Sequence, residues 1–181
     1  MIEKIRELVK KESESNDWQF HIQPVVRYAL DLAKIYKADL ELVELAALLH
    51  DIGRIRSDDE SHEISGQTEA EKILKEFNYP QETIDEIKHC IASHRGSRDV
   101  APQTITAKII ANADAMAHFD IAPLFFYWRA DRYSFSDIVK WVEEKMERNW
   151  DKKLTLLEAK EIIRPKYDAI KLILDSVKQY I

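Results

Sequence analysis

The amino-acid sequence predicts an all-α protein, a single-domain helical bundle over residues 1–181. Three observations lead there. The chain has only 3 Gly and 5 Pro in 181 residues, too few for many tight turns. Apolar residues recur at intervals of three and four in one segment after another, the period of a helix face. No repeat, low-complexity stretch or linker divides the chain, which is long enough for one sizeable core.

Taken in order, Ile2, Ile5, Leu8 and Val9 stand among charges at helical spacing and give a first amphipathic helix. Residues 12–16 break it, and Asp17 is placed to cap the next helix. His21, Val25, Ala29, Leu32 and Tyr36 then form one stripe, with His21 at its inward-facing head. Pro24 disfavours helix just before it, so His21 falls in a first turn or at a kink. Residues 40–49 are apolar nearly all round, so this helix is expected at the centre. It ends in His50-Asp51, with Gly53 where a C-cap glycine belongs, and a polar loop is expected over 54–61. A helix from about 61 to 77 buries Ala70, Ile73, Leu74 and Phe77. His62 lies at the edge of that face, and Gly66 one turn on permits close approach.

The next helix runs from about 80 to 94 and buries Ile84, Ile87 and Ile91. At 100° per residue His94 falls near that face and His89 opposite it, so His94 is read as a site residue and His89 as a solvated one. The segment 95–98, Arg-Gly-Ser-Arg, closes the helix. In the helix expected over 104–118, Ala107, Ile110, Ala111, Asp114 and Ala117 share one face. A carboxylate on such a face needs a charged partner or a metal. Residues 119–150 hold nine of the seventeen aromatics, which read as core packing, a dimer face or a substrate wall. Residues 154–181 read as a closing helical stretch interrupted near Pro165.

Bulk properties exclude several classes. Hydrophobic content is 45% and charged content 33%, as in ordinary globular domains. A net charge of −6 argues against a general grip on nucleic-acid polymers or anionic membranes. The single cysteine, Cys90, cannot form an internal disulfide and fits a reducing cytosol. The first residues carry charges where a signal peptide would carry an apolar run, and no stretch is long and apolar enough to span a bilayer. A cytoplasmic location is therefore expected. Phosphate-binding and dinucleotide-binding glycine motifs and paired cysteines are absent.

The inward or helix-end candidates are His21, His50, Asp51, His62, His94 and Asp114. Taken singly, His50-Asp51 reads as a hydrogen-bonded buried pair, His21 as a satisfied core histidine, and Asp114 as either a paired carboxylate or a ligand. Together they are harder to dismiss, because all three glycines, Gly53, Gly66 and Gly96, lie within four residues of one of them. Imidazole and carboxylate side by side suit divalent transition metals.

A His…His-Asp…Asp order spread over separate helices resembles the HD-domain superfamily of metal-dependent phosphohydrolases. The segments that carry the resemblance are Asp17-Trp-Gln-Phe-His21, Ala46-Ala-Leu-Leu-His50-Asp51-Ile-Gly-Arg54, Ser61-His62-Glu63, Ile91-Ala-Ser-His94-Arg95-Gly96 and Ala111-Asn-Ala-Asp114. They span a motif-bearing core of about 17–120, with further helices over 121–181. The resemblance implies that His21, His50, Asp51 and Asp114 bind a divalent metal (Mn, Co, Ni, Fe, Mg or Zn, as one ion or two). It makes His62 and His94, with Asp51, catalytic residues beside the metal. Arg54, Arg95 and Lys108 would neutralise phosphate charge.

The implied activity is hydrolysis of a nucleotide or other small phosphorylated metabolite, by a homodimer or a monomer. Two other readings are a non-catalytic nucleotide-sensing module and, from a few relatives, a di-iron oxygenase. Ile52-Gly53-Arg54-Ile55 stands where guanosine tetraphosphate hydrolases carry acidic residues after the His-Asp pair. Asn78-Tyr79-Pro80 lacks the glycine of the cyclic-dinucleotide branch. Both departures count against those substrates.

Overall fold

In the computed structural model, residues 1–57, 62–95 and 100–181 are described, and among them the chain is helical without a strand. The helices are α1 (Ile2–Glu12), α2 (Ser15–Asp17), α3 (Gln23–Tyr36), α4 (Leu40–Leu49), α5 (Ile52–Ser57), α6 (His62–Glu76), α7 (Gln81–Ser93), α8 (Ile105–Asp120), α9 (Ala122–Arg129), α10 (Phe135–Arg148) and α11 (Leu157–Lys178). Two π-helical turns, Trp18–Ile22 and Asn149–Lys153, join α2 to α3 and extend beyond α10. None of these helices is long and apolar enough to cross a membrane.

The centre of the bundle is α8, which packs against α3, α4, α7 and α11. Its residues 109–117 are all buried. The alanine-bearing face read from the sequence is thus one side of a helix buried all round. Ala107, Ala111, Ala113, Ala115 and Ala117 let neighbouring backbones approach, and Thr104 caps the helix by accepting from the Ala107 amide at 3.1 Å. The helix α4 is nearly as buried, from Val43 and Leu45–Leu49, and Asp39 caps its first turn.

Several local expectations are corrected. Asp17 does not cap a helix; its carboxylate pairs with Arg54 at 2.9 Å. The kink at Pro24 is the π-helical turn that carries His21: Pro24 offers no N–H to the carbonyl four residues back, and the chain widens there. Gly53 is not a C-cap, because the chain turns at His50-Asp51 and resumes as α5 with Gly53 inside it. The polar loop expected over 54–61 is therefore helical as far as Ser57. Its remainder, Asp58, Asp59, Glu60 and Ser61, lies outside the described residues, as does the turn with Gly96, Ser97 and Arg98. Pro165 does not interrupt α11. The carbonyl it leaves without a partner belongs to Glu161, on the exposed side of the helix, where water can replace the lost bond.

Candidate metal centre

Two helices end at the site in the same way. His50 stands at the C-cap of α4, and its Nδ1 donates to the Ala47 carbonyl at 2.8 Å. His94 stands at the C-cap of α7, and its Nδ1 donates to the Ile91 carbonyl at 2.7 Å. A carbonyl can only accept, so Nδ1 of each ring carries a proton; Nε2 of the neutral ring, the form that burial favours at His50, is left with a lone pair. Both Nε2 atoms face Asp51, His50 at 3.7 Å from Oδ2 and His94 at 3.5 Å from Oδ1. Lone pairs turned towards a carboxylate repel it unless a proton or cation lies between them. A carbonyl that holds the other ring nitrogen is a usual way of fixing a ligating histidine.

The remaining candidates close round Asp51. His21 Nε2 lies 3.2 Å from His50 Nε2, 3.3 Å from Asp51 Oδ2 and 3.5 Å from Asp114 Oδ1. His62 Nε2 is 3.5 Å from Asp51 Oδ1. Donor atoms of His21, His50 and Asp51 lie within 4.8 Å of one another, as do those of Asp51, His62 and His94, and of His21, Asp114 and His118. The first set with Asp114, and the second set on the other oxygen of Asp51, fit one or two divalent ions in ligand type and spacing. The sequence reading thus places His21, His50, Asp51, His62, His94 and Asp114 together, and the structure brings them together.

Electrostatics separates the roles. Burial drives the His50 imidazole down to about 4, and the pull of Asp51 in the other direction does not prevail. The ring is neutral at pH 7 and needs to lose no proton to become a ligand. Burial opposes ionisation of Asp51, yet the imidazoles of His50, His21 and His94, which attract it whenever they carry a proton towards it, hold its carboxyl well below the usual range. Asp114 behaves alike: burial opposes its charge, and Lys153, His118, His21 and His94 outweigh it. Lys153 donates to Asp114 Oδ2 at 2.7 Å, which leaves Oδ1 turned towards His21. His62 is lowered by burial against the pull of Asp51.

Of the expected phosphate-binding cations, Arg54 and Arg95 line the cleft, and both hold carboxylates. Arg54 bridges Asp51 at 3.0 Å and Asp17 at 2.9 Å, and Arg95 pairs with the buried Glu63 at 2.8 Å. Lys108 is exposed on α8 and is not among the residues that line the cleft. Its neighbour Ala107 turns inward, and one step along a helix rotates a side chain by about 100°. His89 accepts from the Gln103 amide at 3.0 Å, away from the other histidines. The rings of the other five run in an unbroken series of contacts, His118, His21, His50, His94 and His62, with centroids 5.2–5.8 Å apart.

The sequence reading missed His118, Lys145 and Lys153. All three line the same cleft of about 460 Å³, with Phe125, Trp128, Arg148 and Asn149. His118 lies four residues beyond Asp114 on a buried face, a signal that was present. Burial, then Lys145, push its imidazole well below the ordinary value. Lys145 is itself lowered to about 8 by burial, against the pull of Asp114. Of the aromatics, Phe125 and Trp128 reach the cleft, whereas Tyr127 is 78% exposed.

Replacing His94 by Ala should lower turnover or second-metal uptake roughly 10- to 100-fold, the scale of groups that tune a metal site, while His89→Ala should change little. Equal damage from both would overturn the assigned register of α7. Metal-free protein should lose stability as pH falls from about 6.5 to about 4. There the unfolded His50 takes a proton and the folded one, with its value near 4, does not. The contribution is roughly 3 kcal/mol, complete above about 6.5 and gone below about 4. Urea melts of metal-free wild type and His50→Gln across this window check it; the acid slope should be shallower in the variant.

Comparison with known proteins agrees with this geometry. The chain is 30% identical to an uncharacterized protein of Methanocaldococcus jannaschii over 149 residues, 71% of this chain and 77% of that one. It is 32% identical over 114 residues to a tRNA (cytidine(56)-2'-O)-methyltransferase of Picrophilus torridus, covering 55% of this chain and only 31% of that protein. Among solved structures, Bacillus subtilis YpgQ in complex with ADP superposes with a TM-score of 0.76 at 22% identity, over 99% of this chain and 94% of YpgQ, a likeness of fold. A predicted HD superfamily hydrolase from an uncultured Thermotogales bacterium matches with a TM-score of 0.58 at 25% identity, over 80% of this chain and 84% of that one. The HD domain model matches residues 20–118, which include every metal-ligand candidate and more than half of the chain: the protein belongs to the HD domain family.

Proposed function

We propose that the protein is a metal-dependent phosphohydrolase acting on a nucleotide or another small phosphorylated metabolite. The observation that carries this reading is the pair of histidines locked by their own helix carbonyls, with both Nε2 atoms turned on Asp51. His21, His50, Asp51 and Asp114 would hold the cation. When bound, a divalent ion lowers the pKa of water and draws charge from a phosphoryl oxygen.

The protein's own groups supply the rest. Arg54 fixes the rotamer of Asp51 through a 3.0 Å hydrogen bond, so the carboxylate keeps both oxygens aimed at the histidines. His62, kept neutral largely by burial, can donate a hydrogen bond to a phosphate oxygen or accept a proton from water as it attacks. The walls formed by Phe125 and Trp128 limit water on one side of the cleft and offer a flat surface to a base. No serine or cysteine lines the cleft among the described residues, so hydrolysis without a covalent phosphoenzyme fits best. The ADP held by YpgQ supports a nucleotide over a sugar phosphate.

Elemental analysis of protein purified without chelator, joined to a screen of phosphorylated metabolites with added Mn²⁺, Co²⁺, Ni²⁺, Mg²⁺ and Fe²⁺, tests the proposal. Release of phosphate or pyrophosphate that chelators abolish is the expected result. Nucleotide binding without turnover under every metal would replace this reading with that of a sensor. A bound iron pair with visible absorption would replace it with an oxygenase.

A further inference from the structure

The cations of the cleft fall into two groups. Arg54, Arg95 and Lys153 each hold a carboxylate of the protein, at 2.7–3.0 Å. The side chains of Lys145 and Arg148, both on α10, make no ion pair or hydrogen bond among the described residues, although both line the cleft. The Lys145 ammonium lies 5.2 Å from the centre of the Phe125 ring and 5.6 Å from that of Trp141. Those rings steady the charge without neutralising it. Next along the chain, Asn149 is 1% exposed and also lines the cleft, and its Nδ2 has no acceptor among the described residues. A buried donor without an acceptor is costly and is ordinarily satisfied by water or a ligand. Unpaired cations and an unpaired amide thus share one wall, across α8 from the histidines of α4 and α7.

We propose that Lys145, Arg148 and the Asn149 amide form an anion subsite that holds a phosphate other than the one attacked beside Asp51, so that the preferred substrate carries at least two phosphate groups. The proposal deepens the phosphohydrolase reading and rests on it for the identity of the attacked group. A monophosphate would reach the Asp51 end and leave Lys145 unused. A diphosphate or triphosphate offers a second phosphate to Lys145 and Asn149.

The test uses methylenediphosphonate, which is not hydrolysed at its P–C–P link, and methylphosphonate as its one-phosphorus control. Both are titrated by calorimetry into Mn²⁺-loaded protein with free Mn²⁺ held equal. Lys145→Met should weaken methylenediphosphonate by about tenfold or more, the loss of one charged hydrogen bond, and leave methylphosphonate within about twofold. Lys145→Arg should restore most of the difference, and Arg148→Met should show the same selectivity at smaller size. Equal weakening of both ligands, no weakening, or no binding of methylenediphosphonate to wild type overturns the subsite. Failure of the parent reading looks different. Diphosphonate binding that depends on Lys145, with no phosphoester turned over in the metabolite screen, keeps the subsite and retires the hydrolase.

Discussion

Asp51→Ala and His50→Ala protein, purified without chelator, should each carry about a tenth or less of the metal found in wild type, and turnover should fall by on the order of 10³-fold. Both residues are buried, His50 in one of the three donor sets and Asp51 in two. Asp51 is the larger loss, because its two oxygens serve both clusters: Oδ2 faces His21 and His50, and Oδ1 faces His62 and His94. Loss of His50 removes one ligand and leaves the Ala47 carbonyl without its donor. Metal content by elemental analysis and turnover with the best substrate of the screen are the two measurements. Circular dichroism confirms that the helices persist. Full occupancy in both variants would show that the metal sits elsewhere.

Gly53→Ala should be the most damaging single-methyl change in the chain. A Cβ at this position would stand 2.2 Å from the His62 carbonyl oxygen and 2.6 Å from the Gly66 amide nitrogen, both backbone atoms. No rotamer change relieves that contact, so α5 and α6 must separate. The cost should be about 3 kcal/mol, at the upper end of overpacking penalties, or a fall in Tm of roughly 6–12 °C for a chain of this length. His62 opens α6, so the separation also draws its imidazole away from Asp51. Gly66→Ala makes a graded control: its Cβ would meet Ile91 Cγ2 at 3.1 Å, and that side chain can yield. Thermal melts of the two variants should rank Gly53→Ala well below Gly66→Ala. The reverse order would mean that α5 and α6 cross more loosely than those backbone distances require.

The legible features of the sequence are the periodic ones. The helix wheel separates His94 from His89 and places Asp114 on an inward face, because apolar neighbours three and four residues away mark that face. The same rule could find His118, one turn beyond Asp114, and Lys145, one turn beyond Trp141 on the stripe that includes Ile138, Val142 and Met146. A lysine on an amphipathic helix reads as solvated, and only its place over Phe125 in the cleft shows that this one is half-buried. Gly53 misleads for a different reason. A glycine after an apolar helical run satisfies every local criterion for a C-cap, whereas its actual constraint is the backbone of His62 and Gly66, which local sequence cannot reveal. Lys108 resembles a cleft cation only through its neighbour Ala107, and one residue of helix turns it to solvent.

The carbonyl-locked histidines also govern the sequence of binding events. His50 and His94 each terminate a helix, so the C-terminal ends of α4 and α7 both point into the cleft. Each such end carries a partial negative charge, added here to the carboxylates of Asp51 and Asp114. Before any metal arrives, this end of the cleft repels a phosphate and attracts a cation. Under the phosphohydrolase proposal, a phosphate at the Asp51 end is therefore favoured once a cation is bound there, and metal is expected to precede it at that end of the cleft. On that proposal, substrate affinity should rise with free metal concentration, with the helix ends that carry His50 and His94 as the fixed source of the dependence.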